Sequence, residues 1–192
     1  GAAFHAGAIL KLLVQRLRQA WSKVQIIFRG DAGFCIPKIL SWSDRHQVDY
    51  VVGISTNPRL VKKSELTQYL ARRGFELYST KHTVFSSFYY AAYSWSQHRR
   101  VVVKAEHDHR GANTRFVVTS LEANESHIYK KMYCARGDME NRIKEQKLLF
   151  SDRTSCHHWW PNQFRILLSS MAYTLVEALR RLALKKTILA NA

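Results

Sequence analysis

Two short apolar runs on either side of a stretch with helical period constrain this chain more than any other feature. Residues 24–28 run into Arg29-Gly30-Asp31, and residues 49–54 stop shortly before Asn57-Pro58. Short runs rich in Val and Ile, closed by turn residues, read as buried strands. Helical period flanks both. In 5–21, Ile9, Leu12, Leu13, Leu17 and Ala20 recur on one side, with Lys11, Arg16 and Arg18 off it. Residues 36–46 carry Pro37 in their first turn, where a proline is tolerated, and 58–73 turn with the same period. The order helix, strand, helix, strand, helix predicts two adjacent parallel strands and an α/β fold.

The texture changes after residue 74. Residues 75–121 are rich in Tyr, Phe, Val, Ser and Thr, with alternation in 89–95 and 100–106. A turn-like His109-Arg110-Gly111-Ala112-Asn113 separates these from 115–121. This predicts a small antiparallel sheet inserted into the α/β domain and lying outside its sheet. Helical character returns at His127 and continues to Phe150. A last helix is expected over 162–184, with Phe164, Leu167, Leu168, Met171, Leu175, Leu179 and Leu182 on one face. The expected organisation is therefore 1–73, a β-rich insertion at 75–121, and a helical part at 127–192.

Charge narrows the function. The chain has 192 residues, and 30 Lys and Arg against 14 Asp and Glu leave +16. So much like charge on a folded chain repels itself, and a polyanion relieves the repulsion. The cations are dispersed as pairs, among them Lys62-Lys63, Arg99-Arg100, Lys130-Lys131 and Arg180-Arg181. Dispersed pairs suit a folded surface that follows a phosphate backbone. The three cysteines, Cys35, Cys134 and Cys156, are far apart and odd in number, which excludes a disulfide framework. No apolar run reaches the roughly 18 residues of a membrane span.

Two places can carry chemistry. Asp31 follows the first strand in Arg29-Gly30-Asp31-Ala32-Gly33. The carboxyl end of a parallel strand is where α/β folds put their sites, but an Asp there also caps a following helix. The second place is 133–147. At about 100° per residue, Arg136, Glu140 and Lys147 fall within roughly 60° of Tyr133 on one face of a continuous helix. The competing reading is a solvated face with an Arg136–Glu140 ion pair, and Gly137-Asp138 also reads as a fresh helix start.

Tyr133, Arg136, Glu140 and Lys147 stand as Tyr-x2-Arg-x3-Glu-x6-Lys. That spacing resembles the YREK signature of bacterial insertion-sequence transposases. The text of 29–35, 136–146 and Asn162-Gln163-Phe164-Arg165 is similar to the group-1 DDE transposases, and the likeness runs over nearly the whole chain. The resemblance implies a ribonuclease-H-like α/β core in which Asp, Asp and Glu hold two magnesium (or manganese) ions. Asp31 matches the second Asp and Glu140 the Glu. By the same resemblance Tyr133, Arg136 and Lys147 hold DNA near the cut end. The partners it implies are double-stranded DNA, as element ends and target, and a second copy in an active homodimer. The location it implies is the cytoplasm, on the nucleoid, with no membrane.

The family's first Asp lies on a strand before the helix at 5–21. Asp44, Asp49, Asp108, Asp138 and Asp152 do not occupy that context. The expectation is thus a core incomplete at its N-terminal side and inactive alone. Two other functions compete: a ribonuclease-H-like nuclease without strand transfer, and a basic nucleic-acid-binding module whose carboxylates are structural. A zinc site from Cys134, Cys156, His157 and His158 fits no standard spacing. Trp159-Trp160 reads either as a stack for an extruded base or as packing against the last helix.

Overall fold

The computed structural model describes residues 4–188, except the side chains of Arg136 and Asp138. The chain forms two compact units, Gly1–Arg136 and Gly137–Ala192.

In the first unit, α1 (Ala6–Ala20) leads to β1 (Ile27–Gly30), α2 (Pro37–Arg45) and β2 (Asp49–Ile54). β1 and β2 are parallel, with Ile27 opposite Asp49 and Gly30 opposite Val52. The first strand starts later than its apolar run because pairing, not apolarity, sets its ladder: β2 begins at Asp49, whose N–H already bonds the Ile26 carbonyl. The helix expected over 58–73 is two, α3 (Pro58–Lys63) and α4 (Glu65–Tyr78). At the break the Ser64 hydroxyl donates to the Val61 carbonyl, and Gln68 donates to both. Such side-chain bonds to the backbone compete with helix continuation.

β3 (His82–Tyr90), β4 (Arg99–Asp108) and β5 (Gly111–Thr119) form the expected antiparallel run, but not outside the first sheet. The order is β1-β2-β5-β4-β3, one five-stranded sheet. β5 pairs antiparallel with β2, from Val51 opposite Thr119 to Ile54 opposite Phe116. The reason lies in β2: Tyr50, Val51 and Val52 are at most 1% exposed. A strand buried on both faces must have both edges satisfied, and β5 supplies the second. The alternation of residues 75–121 marks strands without saying which edge they join. The strand expected at 89–95 ends at Tyr90, and Trp95 folds back edge-on to the Tyr90 ring at 5.6 Å.

Alternation along the strands builds two core layers. Tyr50, Val52, Val101, Val103, Phe116 and Val118 face Leu40 and Leu60 of the helices. Val51, Val102 and Val117 face Ile128, with Tyr129, Met132 and Tyr133 packed around it. Charges are also folded in. Arg99, 3% exposed, reaches Asp44 at 2.6 Å, the Tyr50 hydroxyl at 3.1 Å and Ser41 at 3.3 Å, and lies 5.3 Å over the Trp95 ring. Burial pushes the Tyr50 hydroxyl pKa upward, and Asp44 adds to the rise.

Glu106 is the second buried charge, held at 2.8 Å by both Lys81 and Lys104. Burial alone would raise its pKa, but hydrogen bonds and charge from the two lysines outweigh it and bring it to about 2. Its folded pKa is depressed, so its stabilisation is present above the unfolded value and is lost as pH falls toward about 2. Glu106→Gln should therefore lower stability by about 2 kcal/mol at neutral pH, the range of a charge-assisted bond. Urea midpoints of the two proteins should converge as pH falls from 5 toward 2.5; a gap that persists in acid would refute this.

α5 (Glu125–His127) opens a helical segment that widens to π pitch over Ile128–Tyr133 and tightens to 3-10 pitch over Cys134–Arg136. The second unit contains α6 (Gly137–Gln146), a π turn at Lys147–Ser151 and α7 (Trp159–Leu182). Arg142 bonds Glu177 at 3.0 Å, and Arg180 bonds Glu145 and Glu177 at 3.0 and 2.8 Å, joining α6 to α7. The last helix begins earlier than expected. Trp159 and Trp160 form its first turn, 71% and 76% exposed, rather than packing against it.

Candidate functional site

Asp31 stands just beyond the carboxyl end of β1, the position expected for a site, and it also caps the turn that follows. Its backbone is extended, and its Oδ1 accepts the Gly33 N–H at 2.9 Å, capping the 3-10 turn Ala32–Phe34. Gly30 makes the turn possible. A Cβ there would meet the Phe34 Cβ at 2.8 Å, so a side chain would push out the ring that packs on Phe28.

The strand beside Asp31 carries the decisive feature. Gly53 interrupts the β-branched run of β2. A Cβ on it would lie 2.6 Å from the Tyr133 hydroxyl, 3.1 Å from the Ala32 nitrogen and 3.4 Å from the Asp31 carbonyl carbon. The Tyr133 hydroxyl and the Asp31–Ala32 peptide thus border one notch, although they come from distant parts of the sequence. Two contacts hold Tyr133 there. Arg29 Nη1 donates to the Met132 carbonyl at 3.2 Å, tying the π segment to the end of β1. The Tyr129 ring lies 5.5 Å from the Tyr133 ring and packs into the core below it. Burial lifts the Tyr129 hydroxyl to about 12.

The one-face stripe expected for Tyr133, Arg136, Glu140 and Lys147 rests on a uniform turn, and that premise fails. The segment passes from π to 3-10 to α pitch between Ile128 and Gln146. Each pitch turns by a different angle per residue. Tyr133 and Arg136 belong to the first unit, Glu140 and Lys147 to the second, and the Arg136 side chain lies outside the described residues. Within α6, Glu145 is engaged with Arg180 at 3.0 Å and Arg142 at 3.5 Å, so it belongs to the α6–α7 ion pairs. Glu140 and Lys147 are exposed.

Among the described residues, no group of three or more His, Cys, Asp or Glu could hold a metal ion. Cys134 and Cys156 are free and exposed, and Cys35 is free with its thiol pushed by burial to about 11. Sequence reasoning missed Arg29 and Gly53. For Gly53 a signal existed, since an isolated glycine in a strand marks a close approach.

A family model for the transposase DDE domain, group 1, matches residues 1–192. The chain belongs to that family. No curated protein matches it. The transposase assignment gives the basic surface its general partner, DNA, and a general chemistry, strand cleavage and transfer with divalent metal ions. No described helix of the transposase is long and apolar enough to cross a membrane.

Proposed function

We propose that this chain is the catalytic core of an insertion-sequence transposase of the YREK type, cutting and joining DNA at its element's ends. Asp31 and Glu140 would each supply a carboxylate to magnesium or manganese, with water and phosphate oxygens completing the shell. Bound there, the ions would activate water and stabilise charge on the transferred phosphoryl group. Tyr133 would offer its hydroxyl to the DNA beside Asp31, while Arg136 and Lys147 would grip phosphates. The core would be ribonuclease-H-like, with 1–73 and 127–192 contributing to it, and would work as a homodimer on the nucleoid.

One observation carries the reading. The Asp31–Ala32 peptide at the strand end and the Tyr133 hydroxyl border the same notch, where β2 has a glycine. That supports the reading by bringing Tyr133 beside the turn that carries Asp31. Iron footprinting tests the site without relying on turnover. Fe2+ bound in place of magnesium, with ascorbate and peroxide, generates radicals that cut the main chain nearby. In the intact transposase on DNA, cuts are expected near both 31 and 140 and should disappear with excess Mg2+. Cuts at only one of these places, or elsewhere, would overturn the assignment.

A further inference from the structure

The groove in question lies at the far edge of the sheet from Asp31. It is open, about 490 Å³, and lined by Arg59, Lys62, Lys63, Tyr89, Tyr90, Ala91 and His98. No carboxylate lines it. Arg59, Lys62 and Lys63 are spaced i, i+3, i+4 on α3, so they share one face. All three are exposed, but their helix is fixed. Leu60 is fully buried beneath it, and its N–H is capped by Asn57 at 3.0 Å. Asn57 also donates to the Tyr90 hydroxyl at 3.4 Å, tying the helix to the groove floor. Lys63 rests 5.7 Å over the Phe88 ring. Tyr90 is 6% exposed and forms the floor, while Tyr89 is 62% exposed on the rim.

We propose that this groove is a second duplex-DNA contact, separate from the cleavage site and gripping the phosphate backbone of DNA flanking it. The proposal rests on the transposase reading above. The groove's shape favours a polymer over a small anion: its cations sit on an exposed, rigid rim and do not converge on an enclosed point. Fixed cations with a tyrosine among them make backbone contacts that position a duplex without reading its sequence. Position fits too. β1, which Asp31 follows, and β3, which carries Tyr89 and Tyr90, are the two edges of the sheet, four strand spacings apart. At about 4.8 Å per spacing that is roughly 19 Å, or about six base pairs along a duplex. A duplex that crosses from Asp31 to the β3 side of the groove would need about that length.

The test compares the intact transposase with its Arg59→Gln/Lys62→Gln/Lys63→Gln variant on a duplex of about 30 base pairs, over a range of salt. The variant is expected to bind at least tenfold more weakly in about 0.1 M salt, with a salt slope shallower by about 2 to 3, near 0.9 per lost phosphate contact. On duplexes ending within about four base pairs of the cut site, shorter than the span above, the loss of affinity and the change in slope should both be smaller than on the long duplex. Thermal midpoints should agree, since the replaced side chains are exposed. Unchanged affinity and slope on the long duplex would overturn the groove alone. So would a loss confined to binding of phosphatidylserine vesicles. Failure of the unmutated transposase to bind any duplex would overturn the transposase reading and the groove with it.

Discussion

Asp31→Asn in the intact transposase will leave binding to DNA ends within about twofold and lower strand cleavage by roughly a thousandfold or more, about 4 kcal/mol of barrier. The two effects separate because the proposed mechanism adds a second role, as a metal ligand, to the capping role that the structure shows. Its Oδ1 accepts the Gly33 N–H at 2.9 Å, and an asparagine carbonyl can accept the same bond, so the turn after β1 survives. The negative charge a hard cation requires is removed. Glu140→Gln should behave the same way. Glu145→Gln is the matched control. It weakens a partly exposed bridge to Arg180 at 3.0 Å, which is worth less than about 1 kcal/mol, and should leave cleavage near normal. Single-turnover cleavage of end-bearing duplex, beside a binding titration, reads all three. Retained cleavage in Asp31→Asn would mean that Asp31 is only a cap.

Arg99→Met is expected to destabilise the fold by about 3 to 5 kcal/mol, the cost of removing one partner from a buried ion pair. Arg99 has a 2.6 Å bond to Asp44 and a side chain only 2% exposed. Its loss leaves Asp44 in a place with little water and strips the Tyr50 hydroxyl of its second partner. Methionine preserves much of the volume over Trp95, so the effect reports charge more than packing. For a chain of this size the thermal midpoint should fall by roughly 10 °C. Asp44→Asn in the same background should lose little more, because the charge stranded by the first change is gone. Additive losses in urea denaturation would show that the two residues act independently.

Much of this fold can be read from patterns of one or two residues. β2 is apolar on both faces and bounded by turn residues, and it lies where the sequence predicts. α1, α2 and α7 follow their apolar periods to within a few residues. What pattern could not give was partnership. Alternation in 100–106 says that β4 is a strand with two kinds of neighbour, but joining β5 to β2 depends on which edge is left open, a property of the assembled sheet. The site divides the same way. Asp31 is visible because a strand end and a glycine-rich turn are local. The relation of Tyr133 to Arg136 and Glu140 could not be computed from spacing, because π and 3-10 turns change the angle on which such arithmetic depends. Gly53 was legible in principle, as the one residue without a side chain in a β-branched strand, but what fills its place comes from eighty residues further along the chain.

That glycine has a consequence for how this transposase could be improved. A valine at position 53 would suit a buried strand better on propensity, by something on the order of 1 kcal/mol. The site reverses that preference. A single methyl group there would lie 2.6 Å from the Tyr133 hydroxyl and 3.1 Å from the Ala32 nitrogen, and overpacking of that kind costs about 1 to 3 kcal/mol. Position 53 is therefore a place where strand propensity and packing disagree. A substitution chosen there on propensity alone would lower the melting temperature and displace the Tyr133 hydroxyl together.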